Sequence, residues 1–479
     1  MGAIKLRLPE FWDLEKRQAS SIHVIGLDGI PWPCRVAVAD RILSISRTQN
    51  ESGKVHLAYP FPKHGELSVC TGTLPESEST YNLMTELARG TLNRLRNQMS
   101  IWQEGGLEVP NSVKTLVGQA VADLGASIVS SELSVKDELA RASIETAMES
   151  VFQLSIVFGQ QVSAYRVSQK ELTPFWLAAN IGNRSFSEVE PHSVPFDLLE
   201  VGSLSCQSKA GQNIDGCEKK MVAGPLLDAS AGAAVWDNEP KDNFENRKRS
   251  ILGHCKQQLS ELPTDTTLLH VMSGLNGIGH RQLSFPQQQQ LTTELFQLVD
   301  DASVDLPMMV SFDFPWAERL AWSVGGMHPL QVADSLLRQA LPISMIGLDI
   351  NLDYWPLGSV VRDPLQWIDL VDIWAQLGLP LSICIRVPQG VKVVDADDTV
   401  VGSVNRIRGA LSDRQRLEML QVILPMMIAR PNVSGCIFRQ WADADDPRFP
   451  GGGLVDVEGD PKEILHELER FYGSVLQRS

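Results

Sequence analysis

The stretch from Met345 to Pro388 constrains the fold more than any other part of the chain. It opens with an apolar run that breaks into the polar and aromatic cluster Asn351, Asp353, Tyr354 and Trp355, as a buried parallel strand does where it surfaces. Asp363 is then a good helix N-cap with Pro364 at the first helical position, and Trp367, Ile368, Val371, Trp374 and Leu377 follow at helical spacing. Gly378 and Pro380 stop that helix, and 381–387 is a second apolar strand. A strand, a crossover helix and a second strand make the repeating piece of a parallel α/β fold.

The same alternation runs from 174 onwards. Strand candidates lie at 174–180, 196–201, 220–227, 267–274, 307–313, 344–351, 381–387 and 434–441, with helices expected at 243–262, 286–300, 329–340 and 412–429. Ser412 and Gln415 open the last helix as a capping box. Eight such units predict a (β/α)8 barrel, in which sites gather where strands give way to loops at the C-terminal face. A doubly wound open sheet is the alternative, but no GxGxxG or P-loop opens any helix.

A chain of 479 residues is expected to divide into two or three domains. Residues 1–78 read as a small sandwich-like β domain, since IKLRL, SIHVIG, CRVAVA, ILSISR, KVHLAY and ELSVCTGTL are short β-prone runs between turn signals. Its Trp12, Trp32 and Tyr59 are either sugar-stacking rings or ordinary core aromatics. Residues 79–172 switch to helical period and read as a connector, with one helix from Tyr81 to Met99, a long one over 139–167 and a short one capped near Asn111. Residues 173–479 form the barrel.

Charge and cysteine usage exclude several classes of function. With 42 basic and 58 acidic residues the net charge is -16, which argues against nucleic acid or an anionic membrane as partner. The N-terminus lacks the order of a signal peptide and no apolar run reaches 18 residues, so a cytoplasmic location is expected. The seven cysteines are scattered and never spaced as CxxC, and His270, His280 and His328 make no metal spacing. Neither a metal nor a cofactor is expected, and a lone His at a strand end, such as any of these three, reads as a satisfied structural group.

Four blocks carry a family resemblance. AGPLLDASAGAAVW, SMIGLDINLDYW, LGLPLSICIRVP and RPNVSGCIFRQWADADDPRFPGGGLVDVEGDPKEIL, all within about 174–475, follow one another in the order seen in family-10 glycoside hydrolases. The region resembles those xylanase-like barrels. The resemblance implies a glycoside hydrolase-like protein of carbohydrate metabolism that binds a β-glycan or oligosaccharide and, if active, hydrolyses its O-glycosidic bonds. The family carries an acid/base Glu after an Asn at the end of strand four and a nucleophilic Glu in strand seven. Here those places read HVMSGLNG and SICIRVP, with Asn276 near the first and Ile385 or Arg386 near the second. Neither can attack an anomeric carbon, so the usual carboxylate pair is missing. A catalytically inactive carbohydrate-binding or scaffold protein on the same barrel is the alternative.

Other carboxylates stand at the predicted strand ends. Glu318, beside Pro315 and Trp316, and Asp349, between Leu348 and Ile350, form the expected catalytic pair. Pairing with Arg319, Arg362 or Arg386 is the competing account of both. Asp228, Asp313 and Asp443 are expected to bind substrate, with Asn276, Asn351 and Gln440 as hydroxyl ligands. Arg386 is either a clamp for an acidic sugar or a counter-ion across the mouth. Trp236, Trp316, Trp355 and Trp441 follow predicted strands, where flat rings can stack on pyranoses, whereas Trp367 and Trp374 are read as core.

Overall fold

The fold is described from a computed structural model over residues 2–14, 16–48, 50–169, 175–201, 219–229, 244–263, 265–276, 283–302, 304–322, 326–355, 357–390 and 411–476. The first strands are β1 (Gly2–Arg7), β2 (His23–Gly26), β3 (Pro31–Trp32), β4 (Cys34–Ala39), β5 (Ile42–Arg47), β6 (Gly53–Phe61), β7 (Gly65–Cys70) and β8 (Tyr81–Asn82). They form two four-stranded sheets, ordered β4-β5-β1-β8 and β3-β2-β6-β7. In β1, Ile4 and Leu6 are buried while Lys5 between them is exposed, the period-two signature of a strand with one face on a core. Trp12, Trp32 and Tyr59 are buried, and Trp12 meets Tyr59 edge to face at 5.2 Å. The core reading of these aromatics holds.

Three helices follow, Leu83–Glu104, Asn111–Val129 and Leu133–Gln169. The middle one is longer than the short helix expected from its cap, and the last extends beyond 139–167 at both ends. Arg166, near the end of this layer, donates to the Ile428 carbonyl of a barrel helix at 2.5 Å. Asp363 caps helix Pro364–Ala375 by accepting from the Leu365 and Gln366 amides, and also takes Arg94 of the first helix at 2.5 Å. One carboxylate therefore starts a barrel helix and ties it to helix Leu83–Glu104.

The remaining strands are β9 (Trp176–Gly182), β10 (Leu198–Val201), β11 (Lys220–Ala223), β12 (Leu227–Asp228), β13 (Thr266–Leu275), β14 (Met308–Asp313), β15 (Met345–Asn351), β16 (Leu381–Arg386) and β17 (Val433–Phe438). All their pairings are parallel. β17 pairs with β9 and β11 with β13, which closes the sheet on itself, while two-residue β12 adds to the β13 end. The fold is an eight-stranded (β/α)8 barrel, with helices Phe244–Ser260, Phe285–Asp301, Pro329–Arg338, Pro364–Ala375 and Asp413–Ile428 between its later strands. Each strand is a near-continuous apolar run because helices cover its outside and the barrel core its inside.

Period two orders the barrel interior. Ala178, Val222, Leu268, Met309, Cys384 and Ile437 plug the N-terminal end. Two residues on, towards the C-terminal end, the inward positions become Asn180, His270, Ser311, Arg386 and Arg439, with Glu200 two beyond Leu198. Gly347 makes room for this layer, since a Cβ there would lie 2.5 Å from Ser311 Cβ and 3.2 Å from Cys384 Sγ. Among the described residues no helix is long and apolar enough to cross a membrane.

Candidate functional site

Closing the barrel brings five polar side chains from five strands or strand ends into one buried ring. Glu200 Oε1 meets His270 Nδ1 at 2.7 Å, and His270 Nε2 meets Ser311 Oγ at 3.1 Å. Ser311 Oγ donates to Asp349 Oδ2 at 2.5 Å, where the Gly274 amide also donates at 3.2 Å. Arg439 completes the ring, its guanidinium donating to both Glu200 oxygens at 3.0 and 3.1 Å and its Nε lying 3.8 Å from Asp349 Oδ1. Asn180 Nδ2 gives Glu200 a further hydrogen bond at 2.6 Å. Burial opposes charge on Glu200, yet Arg439, His270 and Asn180 together hold its carboxyl below the usual range.

Asp313 lies above this ring, paired in register with Asp349 on the neighbouring strand. Among the described residues it has neither a hydrogen bond nor an ion pair, although it is 5 % exposed. Burial, then the charges of Asp349 and Asp228, push its carboxyl well above the usual range, with Arg386 and Arg448 pulling the other way. Burial and the neighbouring carboxyl groups thus both disfavour its ionised form.

The rim around Asp313 is charged. Arg386 donates to Asn351 Oδ1 at 2.7 Å, sits 3.8 Å from Asp446 and covers the Phe449 ring at 4.4 Å. Arg448 binds Asp446 at 2.6 Å and reaches to within 3.7 Å of Asp228. Against burial, these two arginines hold Asp446 below the usual carboxylate range. Asp443 accepts from Lys462 at 2.6 Å and from the Gly453 amide at 2.9 Å.

The structure does not bring Glu318 and Asp349 together. Glu318 stands in the 3-10 turn Glu318–Ala321, fully buried, 3.7 Å from Arg362 and packed beneath strands β2 and β3. Asp349 belongs to the barrel ring, so the two share no partner among the described residues. The arginine beside Asp349 is Arg439, whereas Arg386 serves Asp446 and Asn351. The expected hydroxyl ligands are engaged as well: Asn276 Nδ2 donates to the Met327 carbonyl at 3.4 Å, and Gln440 Nε2 to the Ala442 carbonyl at 3.1 Å.

Among the described residues the tryptophans are engaged with other side chains. Trp316 donates to the Gln366 carbonyl at 3.2 Å and packs edge to face on Trp367. Trp355 meets Trp322 at 4.7 Å and donates to Ser20 of the β domain. Trp441 is buried against Phe196, and Trp236 lies outside the described residues. Trp367 and Trp374 are core, as their helical spacing predicts.

Glu200, Ser311 and Arg439 were not expected from sequence, and His270 was read as a satisfied structural group. Its two partners satisfy it. The signal that marks all four is one polar residue at the inward phase of an otherwise apolar strand or at its end.

No protein-family model matches the sequence, and no curated protein does. Solved structures are similar to part of the chain. Xylanase 10B from Thermotoga maritima is 13% identical over 64% of this chain and 98% of its own, with a TM-score of 0.43. A Bifidobacterium dentium beta-glucuronidase is 11% identical over 63% of this chain and 47% of its own, with a TM-score of 0.40. An endo-beta-1,3-glucanase from Sorangium cellulosum is 13% identical over 63% of this chain and 98% of its own, at 0.38.

Proposed function

We propose that the barrel mouth binds a carbohydrate and that Asp313 and Asp349 act on its glycosidic bond, Asp313 as general acid. The observation that carries this reading is Asp313 itself: a buried carboxyl group in register with Asp349, free of hydrogen bonds and ion pairs among the described residues, whose ionisation burial and Asp349 both oppose. A carboxyl group whose ionised form is disfavoured can give its proton to a leaving glycosidic oxygen, and the neighbouring carboxylate can then serve as base or nucleophile. Arg386 and Asn351, joined at 2.7 Å on the rim, suit hydroxyl or carboxylate groups of a sugar. Glu318, bound to Arg362 beneath the β domain, is left out of this pair.

The test is release of reducing ends from a panel of β-glycans and oligosaccharides by the whole protein, its Asp313→Asn variant and its Asp349→Asn variant. Loss of a general acid is expected to lower turnover about 10²- to 10⁴-fold. Wild-type turnover should fall as pH rises through the raised Asp313 titration, because the donor form is then lost. Turnover that survives both substitutions would sink the assignment. A second reading, a carbohydrate-binding barrel without catalysis, is favoured by the rim, where Asp446, Asp443 and Asp228 each face a cation. Wild-type protein that binds a glycan and releases no reducing ends would establish it.

A further inference from the structure

The heavy atoms of the ring fit two arrangements of its protons. In the first, His270 donates from both nitrogens, Nδ1 to Glu200 and Nε2 to Ser311 Oγ, and the Ser311 hydroxyl donates to an Asp349 carboxylate. In the second, Asp349 holds a proton on Oδ2 and donates it to Ser311 Oγ, while the Ser311 hydroxyl donates to Nε2 of a neutral imidazole. The distances of 2.7, 3.1 and 2.5 Å serve both. To pass from second to first, the Asp349 O–H bond breaks and its proton joins Ser311 Oγ. The hydrogen already on Ser311 moves to His270 Nε2. No other bond changes, and the total charge of Asp349 and His270 is the same before and after, so the exchange suits a low-dielectric interior.

We propose that Ser311 and His270 form a proton relay that loads and unloads Asp349 from inside the barrel, and thereby sets whether Asp313 acts as acid or as base. With the proton on His270, Asp349 is an anion, and its charge adds to burial in disfavouring ionisation of Asp313. With the proton on Asp349, Asp313 faces a neutral neighbour and gives up its own proton more readily. Both states belong to the protein while the Asp349 carboxyl is free, before any glycosyl group is attached to it. Glu200 and Asn180 lie on one side of His270, with Arg439 3.4 Å from its Nδ1. Asp313, Asp228, Arg386 and Arg448 lie on the mouth side of Asp349. Glu200 stabilises the imidazolium, and Arg439 bridges Glu200 and Asp349 in either state.

This inference rests on the reactive pair named above, but its test requires no turnover. The whole protein would be labelled with ¹⁵N in histidine rings and ¹³C in aspartate carboxyls and titrated by NMR. The His270 signals are those lost in His270→Gln, and the Asp313 signal is that lost in Asp313→Asn. In the wild type, the His270 Nε2 resonance should move in the same pH step as the Asp313 carboxyl. Ser311→Ala should split that step into two midpoints, and Ser311→Thr, which keeps the hydroxyl, should restore it. A His270 resonance that stays flat through the Asp313 step overturns the relay, even if Ser311→Ala fails to fold. So does a shared step that survives in Ser311→Ala. A shared step in a protein that hydrolyses nothing would defeat the hydrolase reading and leave the relay standing; turnover with a flat His270 resonance would do the reverse.

Discussion

The molecule buries charge in two places and treats it differently in each. In the barrel ring, Glu200 accepts from Asn180, His270 and Arg439, and Asp349 accepts from Ser311 and Gly274. Beneath the β domain, Glu318 and Arg362 are buried with 3.7 Å between them, which is too long for a hydrogen bond. Among the described residues both Glu318 oxygens and two Arg362 nitrogens make no hydrogen bond, and the same is true of His23 Nε2 and His56 Nδ1 nearby. The two histidine rings stack at 5.0 Å. Burial, followed by Arg362, lowers His23 to about 3, and burial with His23 and Arg362 lowers His56 well below its usual value. Among the described residues, both Glu200 oxygens and one Asp349 oxygen of the ring accept hydrogen bonds while Asp349 Oδ1 and Arg439 Nε make none, whereas at the interface neither Glu318 oxygen is bonded and Arg362 holds Gln366 instead. A satisfied network fixes one geometry, while an unsatisfied one mainly costs desolvation.

The largest expected effect separates the two at once. Arg439→Met leaves Glu200 and Asp349 buried without their shared cation and should destabilise the fold by about 3–5 kcal/mol, read as a lower urea midpoint. A change within the error of the urea fit would show that the ring is not held by its ion pairs.

The opposite sign is expected at the interface. Replacing Glu318 and Arg362 together, by Leu and Met, should be neutral or stabilising by up to about 4 kcal/mol, because few hydrogen bonds are lost with the charges. A clear loss of stability in that double variant would erase the contrast, since it would mean the pair is bonded as well as the ring is.

The smallest effect at neutral pH concerns His23. Its folded titration lies below the unfolded one, so between about 6.5 and about 3 the unfolded chain binds more protons and stability falls as pH falls through that window. His23→Phe should flatten this dependence in urea melts taken across the window, with little change at pH values above it. An unaltered slope would leave the acid sensitivity to other groups.

Much of the barrel was legible before any coordinates. Buried parallel strands are near-continuous apolar runs, so β13, β14, β15 and β16 stand out at 266–275, 308–313, 345–351 and 381–386 almost where the pattern places them. The caps at Asp363 and Ser412 are local chemistry and were equally visible. The site was less legible. Asp349 and Asp313 were recognised as carboxylates at strand ends, but their partners are remote, 70 residues between Glu200 and His270 and 239 between Glu200 and Arg439. A single Glu or His inside an apolar strand looks like an isolated exception until strand register shows that five such exceptions face one axis. Trp355 misled for the same reason, since its partner Ser20 belongs to the β domain 335 residues away.

The sequence by itself determined the period of each segment, and with it the order of strands, helices and caps, because those depend on neighbours within a turn or two of chain. The tertiary structure alone decided which charges meet. Closing eight strands turned alternate side chains inward and joined Glu200, His270, Ser311, Asp349 and Arg439, while docking of the β domain drew Glu318 away from the mouth to Arg362. Hydrogen bonds and ion pairs act over a few ångströms of space, and separation along the chain says nothing of that distance until the fold is closed.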